Sequence, residues 1–157
     1  MIIAVTGTPG TGKSEVAKLL AKELDWKFVN LNVLAEKNDL YEGYDKERKC
    51  KIVDMNRLAE EVEIMGKLKD IVLDGHFSHD LPCDVVIILR CNPRELRKRM
   101  EKRNWFEEKI EENIEAEIMD VIKEEALEKS KKIIEIDTTG KTVQETVKIA
   151  KIKLKRE

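Results

Sequence analysis

The chain is poor in the residues that mark secreted, membrane or nucleic-acid-binding proteins. Three cysteines occur, Cys50, Cys83 and Cys91, odd in number and without C-x-x-C spacing. That argues against a disulfide framework and against a zinc site, and the expected compartment is the reducing cytoplasm. No apolar stretch reaches membrane-spanning length. The opening run Ile2-Ile3-Ala4-Val5 is too short, and lacks the basic leader, of a signal peptide. No membrane partner is expected. Gln144 is the one glutamine, whereas Glu and Lys abound. Such a bias suits the ion-pair networks of a thermophile's surface, and it equally suits a base-composition bias. Internal repeats and low-complexity linkers are absent. Net charge is also small: 30 Lys and Arg against 32 Asp and Glu leave −2. A broad basic face for nucleic acid is therefore not indicated, although Arg90, Arg94, Arg97, Lys98, Arg99, Lys102 and Arg103 leave a local patch open.

Residues Gly7 to Ser14 read G-T-P-G-T-G-K-S. They follow the apolar run and precede a helical pattern, the context that the phosphate-loop template G-x-x-x-x-G-K-[ST] requires. Inward-pointing backbone N–H groups form a nest for phosphate oxygens, and the positive end of the next helix adds to the attraction. Lys13 would set a point charge near the β- and γ-phosphates, and the Ser14 hydroxyl can ligate Mg²⁺. A nucleoside triphosphate such as ATP is the expected ligand.

The order of elements predicts the fold class. Buried strands are expected at Met1–Thr6, Lys27–Val29, Ile71–Leu73, Val85–Leu89 and Ile133–Ile136. Helices are expected over Lys13–Leu24, from an Asp54 cap to about Met65 with Gly66 as its stop, from Pro93, over Phe106–Lys129, and over Thr142–Lys155. Between Asn30 and Lys51 the pattern breaks into short polar pieces. Continuously apolar strands separated by helices imply an α/β fold, a P-loop NTPase three-layer sandwich whose parallel sheet has about five strands. At 157 residues a single domain over 1–157 is expected, with room for a lid and not for a second domain.

Ligands of such sheets bind beyond the carboxyl ends of the strands. There stand the loop after Val5, then Asp74-Gly75-His76, then Arg90. Asp74 closes an apolar strand in the manner of an acid that holds Mg²⁺. His76 could orient or deprotonate a water, or simply hydrogen-bond the loop backbone. His79 is expected to be a solvated loop residue. Arg99 and Arg103, four apart, share a helix face and could stabilise charge on a transferring phosphoryl group. Asn104-Trp105 interrupts the helix there. A short segment carrying Arg103 and Lys109 thus has the look of a lid that excludes water. The polar segment from Asn30 to Asp54 is the natural place for a phosphoryl acceptor.

These motifs together resemble the adenylate kinase isoenzyme 6 family. The resemblance rests on G-T-P-G-T-G-K-S, Asn32-Val33-Leu34-Ala35, Leu40-Tyr41-Glu42-Gly43-Tyr44-Asp45, Asp74-Gly75-His76 and the run Arg103 to Ile118. It implies a small nucleotide kinase with ATPase activity, shared by archaea and eukaryotes and linked to maturation of the small ribosomal subunit. Gly10, Thr11, Gly12, Lys13, Ser14 and Glu15 would contact the triphosphate, with Arg103 as the lid arginine on ATP. Ser14 and Asp74 would hold Mg²⁺. Asp74 and His76 would match a D-x-H element for metal and water or phosphoryl handling. The acceptor segment would span about 30–53 and the lid about 103–113. The expected reaction is ATP + AMP to 2 ADP. The alternative is an ATPase that acts in ribosome assembly by binding a ribosomal protein of the uS11 type. The lid begins Arg103-Asn104-Trp105 where the family usually has Arg-Gly-Tyr, so a hinge glycine is lost.

Overall fold

Residues 1–129 and 132–156 are described in a computed structural model. Strands β1 (Ile2–Gly7), β2 (Lys27–Asn30), β5 (Ile71–Asp74), β6 (Val85–Arg90) and β7 (Lys132–Asp137) form one sheet in the order β2-β5-β1-β6-β7. Every neighbouring pair is parallel. These are the five strands that the apolar runs predict, and the α/β P-loop architecture is the one expected.

Alternation along the strands sorts the core into two layers. Ile3, Val5, Val72, Ile87 and Leu89 face helices α1 (Lys13–Leu24) and α7 (Val143–Lys155), meeting Val16, Leu20, Val147 and Ala150. On the opposite face Ile71 and Leu73 meet Leu58 and Val62 of α3 (Met55–Leu68). Ala4, Val86 and Ile88 meet Ala126 of α6 (Val121–Glu128). A fully buried Leu or Val side chain stabilises by about 1.5–3 kcal/mol relative to exposure, so both faces must be covered. Side-chain caps start several helices: Asp54 accepts from Arg57 N on α3, and Thr142 accepts from Glu145 N on α7. Each such cap contributes about 1 kcal/mol.

Three expectations about local structure are corrected. Gly66 does not stop α3, which continues to Leu68. A Cβ at Gly66 would collide with the Ile2 side chain, so this glycine lets the helix approach β1 closely. The stretch 106–129 is two helices rather than one, α5 (Glu107–Ile118) and α6, broken where Asp120 takes a left-handed φ of 54°. That turn brings the Asp120 carboxylate onto Arg90. The polar stretch after Asn30 contains a short helix, α2 (Leu31–Lys37), and an antiparallel hairpin of β3 (Tyr41–Asp45) and β4 (Cys50–Val53). Asp45 Oδ1 holds the hairpin turn by accepting from the N–H groups of Glu47 at 3.0 Å and Arg48 at 3.1 Å. Pro93 opens α4 (Pro93–Lys102) as expected. No helix among the described residues is long and apolar enough to cross a membrane.

Candidate active site

The glycine-rich loop joins β1 to α1 at the carboxyl edge of the sheet. Gly7 is required by crowding: a Cβ there would lie 2.7 Å from the Leu89 carbonyl oxygen and 2.8 Å from Thr11 Oγ1. Gly12 caps α1 at φ 87°, a conformation that L side chains avoid. The Thr8 carbonyl closes the arc, accepting from Thr11 N at 3.2 Å and Thr11 Oγ1 at 2.8 Å. Both Thr11 donors therefore turn into the loop. Lys13, Ser14 and Glu15 form the first turn of α1, where helical N–H groups lack intrahelical partners.

Asp74 ends β5, hydrogen-bonded into register beside Val5 of β1, and is buried. Its Oδ2 accepts from Asn30 Nδ2 at 3.3 Å, while Oδ1 has no protein partner although it is fully shielded. A buried carboxylate oxygen left unpaired is costly. Lys13 faces it. Burial pushes the Lys13 ammonium below its usual range, Asp74 pulls it back up, and the Arg103 guanidinium adds to the lowering. Lys13 thus lies within the electrostatic reach of groups from two other motifs.

Arg99 and Arg103 line one cavity of about 390 Å³ together with Gly10, Gly12, Glu15 and Thr138. Arg99 is fixed there: its Nη1 donates to Thr138 Oγ1 at 3.2 Å and Gly10 O at 3.4 Å, and its Nη2 donates to Thr138 O at 3.1 Å and Glu95 at 3.3 Å. Arg103 ends α4 and has its guanidinium 6.0 Å from the Trp105 ring, with Lys109 Nζ 3.8 Å from the same ring. Asn104 holds a left-handed φ of 56°. Asparagine is one of the few residues that adopts this conformation readily, so the joint keeps a turn that glycine would also allow.

His76 lies on the exposed side of the loop after β5, its ring edge-on to Phe77 with centroids 4.8 Å apart. Crowding by the surrounding cleft, then the Lys13 charge, lowers its pKa, which favours the neutral imidazole. Its carbonyl accepts from Thr6 Oγ1 at 3.1 Å. His79 is not a solvated loop residue: it is 1% exposed. The Ser78–Asp80 turn tucks under β1, with Ser78 Oγ donating to the Val5 carbonyl. The His79 ring then spans Thr6 Oγ1 at 3.0 Å and Glu125 Oε2 at 2.8 Å. A three-residue turn has no periodicity to reveal such burial.

Three cations of the local basic patch are paired with acids. Arg90 pairs with Glu117, Asp120 and Glu135, Arg97 with Glu107 and Glu111, and Arg99 with Glu95. Although burial opposes it, the hydrogen bonds it donates to Glu117 and Asp120 hold Arg90 above its ordinary pKa. Glu117 escaped the sequence reading. It is buried, yet its position in a run of glutamates looks like any other on a solvated helix.

Residues 3–120 match the AAA domain family. Three archaeal proteins named "Putative adenylate kinase" are close relatives. Those of Thermococcus kodakarensis and Pyrococcus furiosus are 48% and 47% identical over 94% of this chain, which spans 81% and 80% of their lengths. That of Methanosarcina acetivorans is 46% identical over 93% of this chain and 82% of its own. Among solved structures, deoxyadenosine kinase from M. mycoides superposes with a TM-score of 0.65 over the whole of both chains at 16% identity. Shikimate kinase from Aquifex aeolicus does so at 0.58 and 17%, over 99% of this chain and 96% of its own. At such identities these two speak for the fold alone. From its sequence relatives, its matched domain and its motifs, this chain belongs to the adenylate kinase isoenzyme 6 family, in company with the archaeal adenylate-kinase-named proteins.

Proposed function

We propose that the protein is an ATP-dependent nucleoside monophosphate kinase that moves the γ-phosphoryl group of ATP to AMP. The observation that carries this reading is the buried Asp74 beside the phosphate-loop strand, paired in register with Val5, whose Oδ2 accepts from Asn30 at the start of the acceptor segment. Acid and acceptor edge thus meet at the carboxyl end of the sheet, beside the loop. The ATP phosphates lie along the loop and the α1 N-terminus. The nucleoside extends into the cavity beside Arg99, Arg103 and Thr138.

Mg²⁺ fits this residue set, because the shielded Asp74 Oδ1 lacks any protein partner and Ser14 stands on the first turn of α1. Ser14 and Asp74 would hold it, and when bound it neutralises phosphate charge. The protein's own part is positioning and electrostatics. Lys13 stabilises charge gathering on the transferring group. Arg103 approaches from the lid edge and displaces water as it closes. Arg99 contributes positive potential from a fixed place. The segment 30–53 presents the monophosphate, and the stretch 103–113 serves as the lid. A neutral Lys13 would forfeit this role, and bound phosphates would raise its pKa again.

The lowered pKa of His76 favours a second output, hydrolysis of ATP, with nucleotide state controlling the grip on a ribosomal protein of the uS11 type. A neutral imidazole at the mouth of the cleft can accept a proton from, or orient, a water. Coupled assays of turnover with each monophosphate and with none test both readings. ADP formed only when AMP is supplied supports the kinase. Turnover indifferent to every monophosphate would overturn it. His76→Ala is expected to reduce hydrolysis far more than AMP phosphorylation, and equal losses would remove the special role with water.

A further inference from the structure

The strongest unassigned feature is Glu117, a carboxylate 5% exposed at the last turn of α5. Its two oxygens have separate duties. Oε2 accepts from Thr8 Oγ1 at 2.5 Å, whereas Oε1 accepts from Arg90 Nε at 2.6 Å and Cys91 N at 3.4 Å. Arg90 Nη2 also donates to the Glu117 carbonyl at 3.0 Å, so main chain and side chain are both held.

Thr8 is the second residue of the phosphate loop and is itself buried. Its hydroxyl goes to Glu117 and its carbonyl closes the loop on Thr11. A shift of the α5 end therefore reaches Gly12 and Lys13 through one residue. At the other end of α5 lies the lid joint. Helices α4 and α5 enclose Leu96, Met100, Trp105, Ile110 and Ile114, and Arg97 ties them again through Glu107 and Glu111. Arg99 in turn holds α4 against Thr138 and Gly10. Among the described residues, side-chain hydrogen bonds join α4 to the loop through Arg99 with Gly10 and α5 to it through Glu117 with Thr8. The Arg99 contact is longer, at 3.4 Å. A short hydroxyl-to-carboxylate bond in a dry setting is the stiffer link.

We propose that Glu117 is a positioning residue that couples α5, whose first turns lie in the lid stretch 103–113, to the phosphate loop through the Thr8 hydroxyl. This rests on reading the loop as the ATP site. Charge arriving in the loop draws Arg103 inward, α5 tilts about its Glu117 end while Arg99 keeps α4 in place, and the loop and lid settle together.

Trp105 in the lid joint reports the coupling when Trp26, the other tryptophan, is replaced by Phe. In this parent, ATP with Mg²⁺ is expected to change Trp105 emission. Thr8→Val is expected to bind ATP roughly 3- to 10-fold more weakly by calorimetry, the worth of one such bond, yet to lose most of the Trp105 change at saturation. Thr8→Ser, which keeps the hydroxyl, is expected to retain it. Glu117→Gln, which keeps an acceptor oxygen, should retain part, and it provides the comparison if Thr8→Val does not fold. A full Trp105 response in Thr8→Val, or in Glu117→Gln an unchanged one, would overturn the proposal. So would equal loss in Thr8→Ser, or a parent whose Trp105 ignores ATP. Failure of the kinase reading looks different: the parent would respond at Trp105 while AMP left its turnover unchanged.

Discussion

Asn30 Nδ2 donates to Asp74 Oδ2 at 3.3 Å, joining the first residue of the acceptor segment to the acid at the end of β5. The same asparagine caps α2 through Oδ1, which accepts from Val33 N at 3.1 Å. One side chain thus starts the acceptor segment and orients the carboxylate, leaving Asp74 Oδ1 turned elsewhere.

Asp74→Asn is expected to lower kcat on the order of 100-fold, the usual scale for losing an electrostatic partner of the reacting group. The Mg²⁺ concentration for half-maximal turnover should rise as well. Asn30→Ala should shift that Mg²⁺ dependence less and destabilise the protein by about 1 kcal/mol through the lost cap. A Mg²⁺ titration of turnover checks both, and an unshifted curve for Asp74→Asn would remove it from the metal site.

Arg103→Ala is expected to reduce kcat/KM for ATP by about 100- to 1000-fold, because the lid supplies charge where phosphate charge develops. It should also raise the Lys13 pKa, since Arg103 is one of the influences that lower it. Steady-state kinetics and NMR titration of the Lys13 ammonium read the two effects. A Lys13 pKa that stays put would mean the two cations do not share a site.

The thiols should separate by reactivity. Cys50 is exposed, whereas Cys91 is buried, and burial raises the Cys91 pKa to about 11. Thiolate is the reactive form, so a maleimide should label Cys50 quickly at pH 8 and Cys91 only on unfolding. The folded pKa lies above the ordinary thiol value of 9.0 that the unfolded chain takes. The associated stability is therefore complete below pH 9.0 and is lost as pH rises toward about 11. Cys91→Ala should flatten the fall in Tm over that window, and an unchanged slope would refute the assignment.

Asn104 tests the lid joint. Asn104→Gly should be tolerated, because φ 56° suits glycine. Asn104→Val should destabilise by about 1–2 kcal/mol, the penalty of a left-handed conformation for a Cβ-bearing residue. Thermal melts of the three proteins decide it, and equal Tm values for Val and Asn would contradict the geometry.

Much of this molecule is legible in one dimension. The strand Ile71 to Asp74 and the helix Lys13 to Leu24 show in their apolar spacing, and G-T-P-G-T-G-K-S names its ligand class through backbone requirements alone. Asp54 and Thr142 announce helix starts because capping is a local reaction between a side chain and the next N–H groups. Three features were hidden. The hairpin β3–β4 is exposed over most of its length, so alternation has little to report. Gly66 looked like a helix stop because its partner, Ile2, is distant in the chain. His79 and Glu117 looked like ordinary polar residues.

Local pattern was enough to specify a phosphate loop and five parallel strands, because both depend on neighbours within a few residues. The meeting of Lys13, Asp74 and Arg103, the burial of His79, and the tie between Thr8 and Glu117 belong to the tertiary structure alone. The side-chain hydrogen bonds of His79 and Thr8 join residues from 46 to 109 positions apart. Charge and hydrogen bonding act through space, and only folding sets that distance.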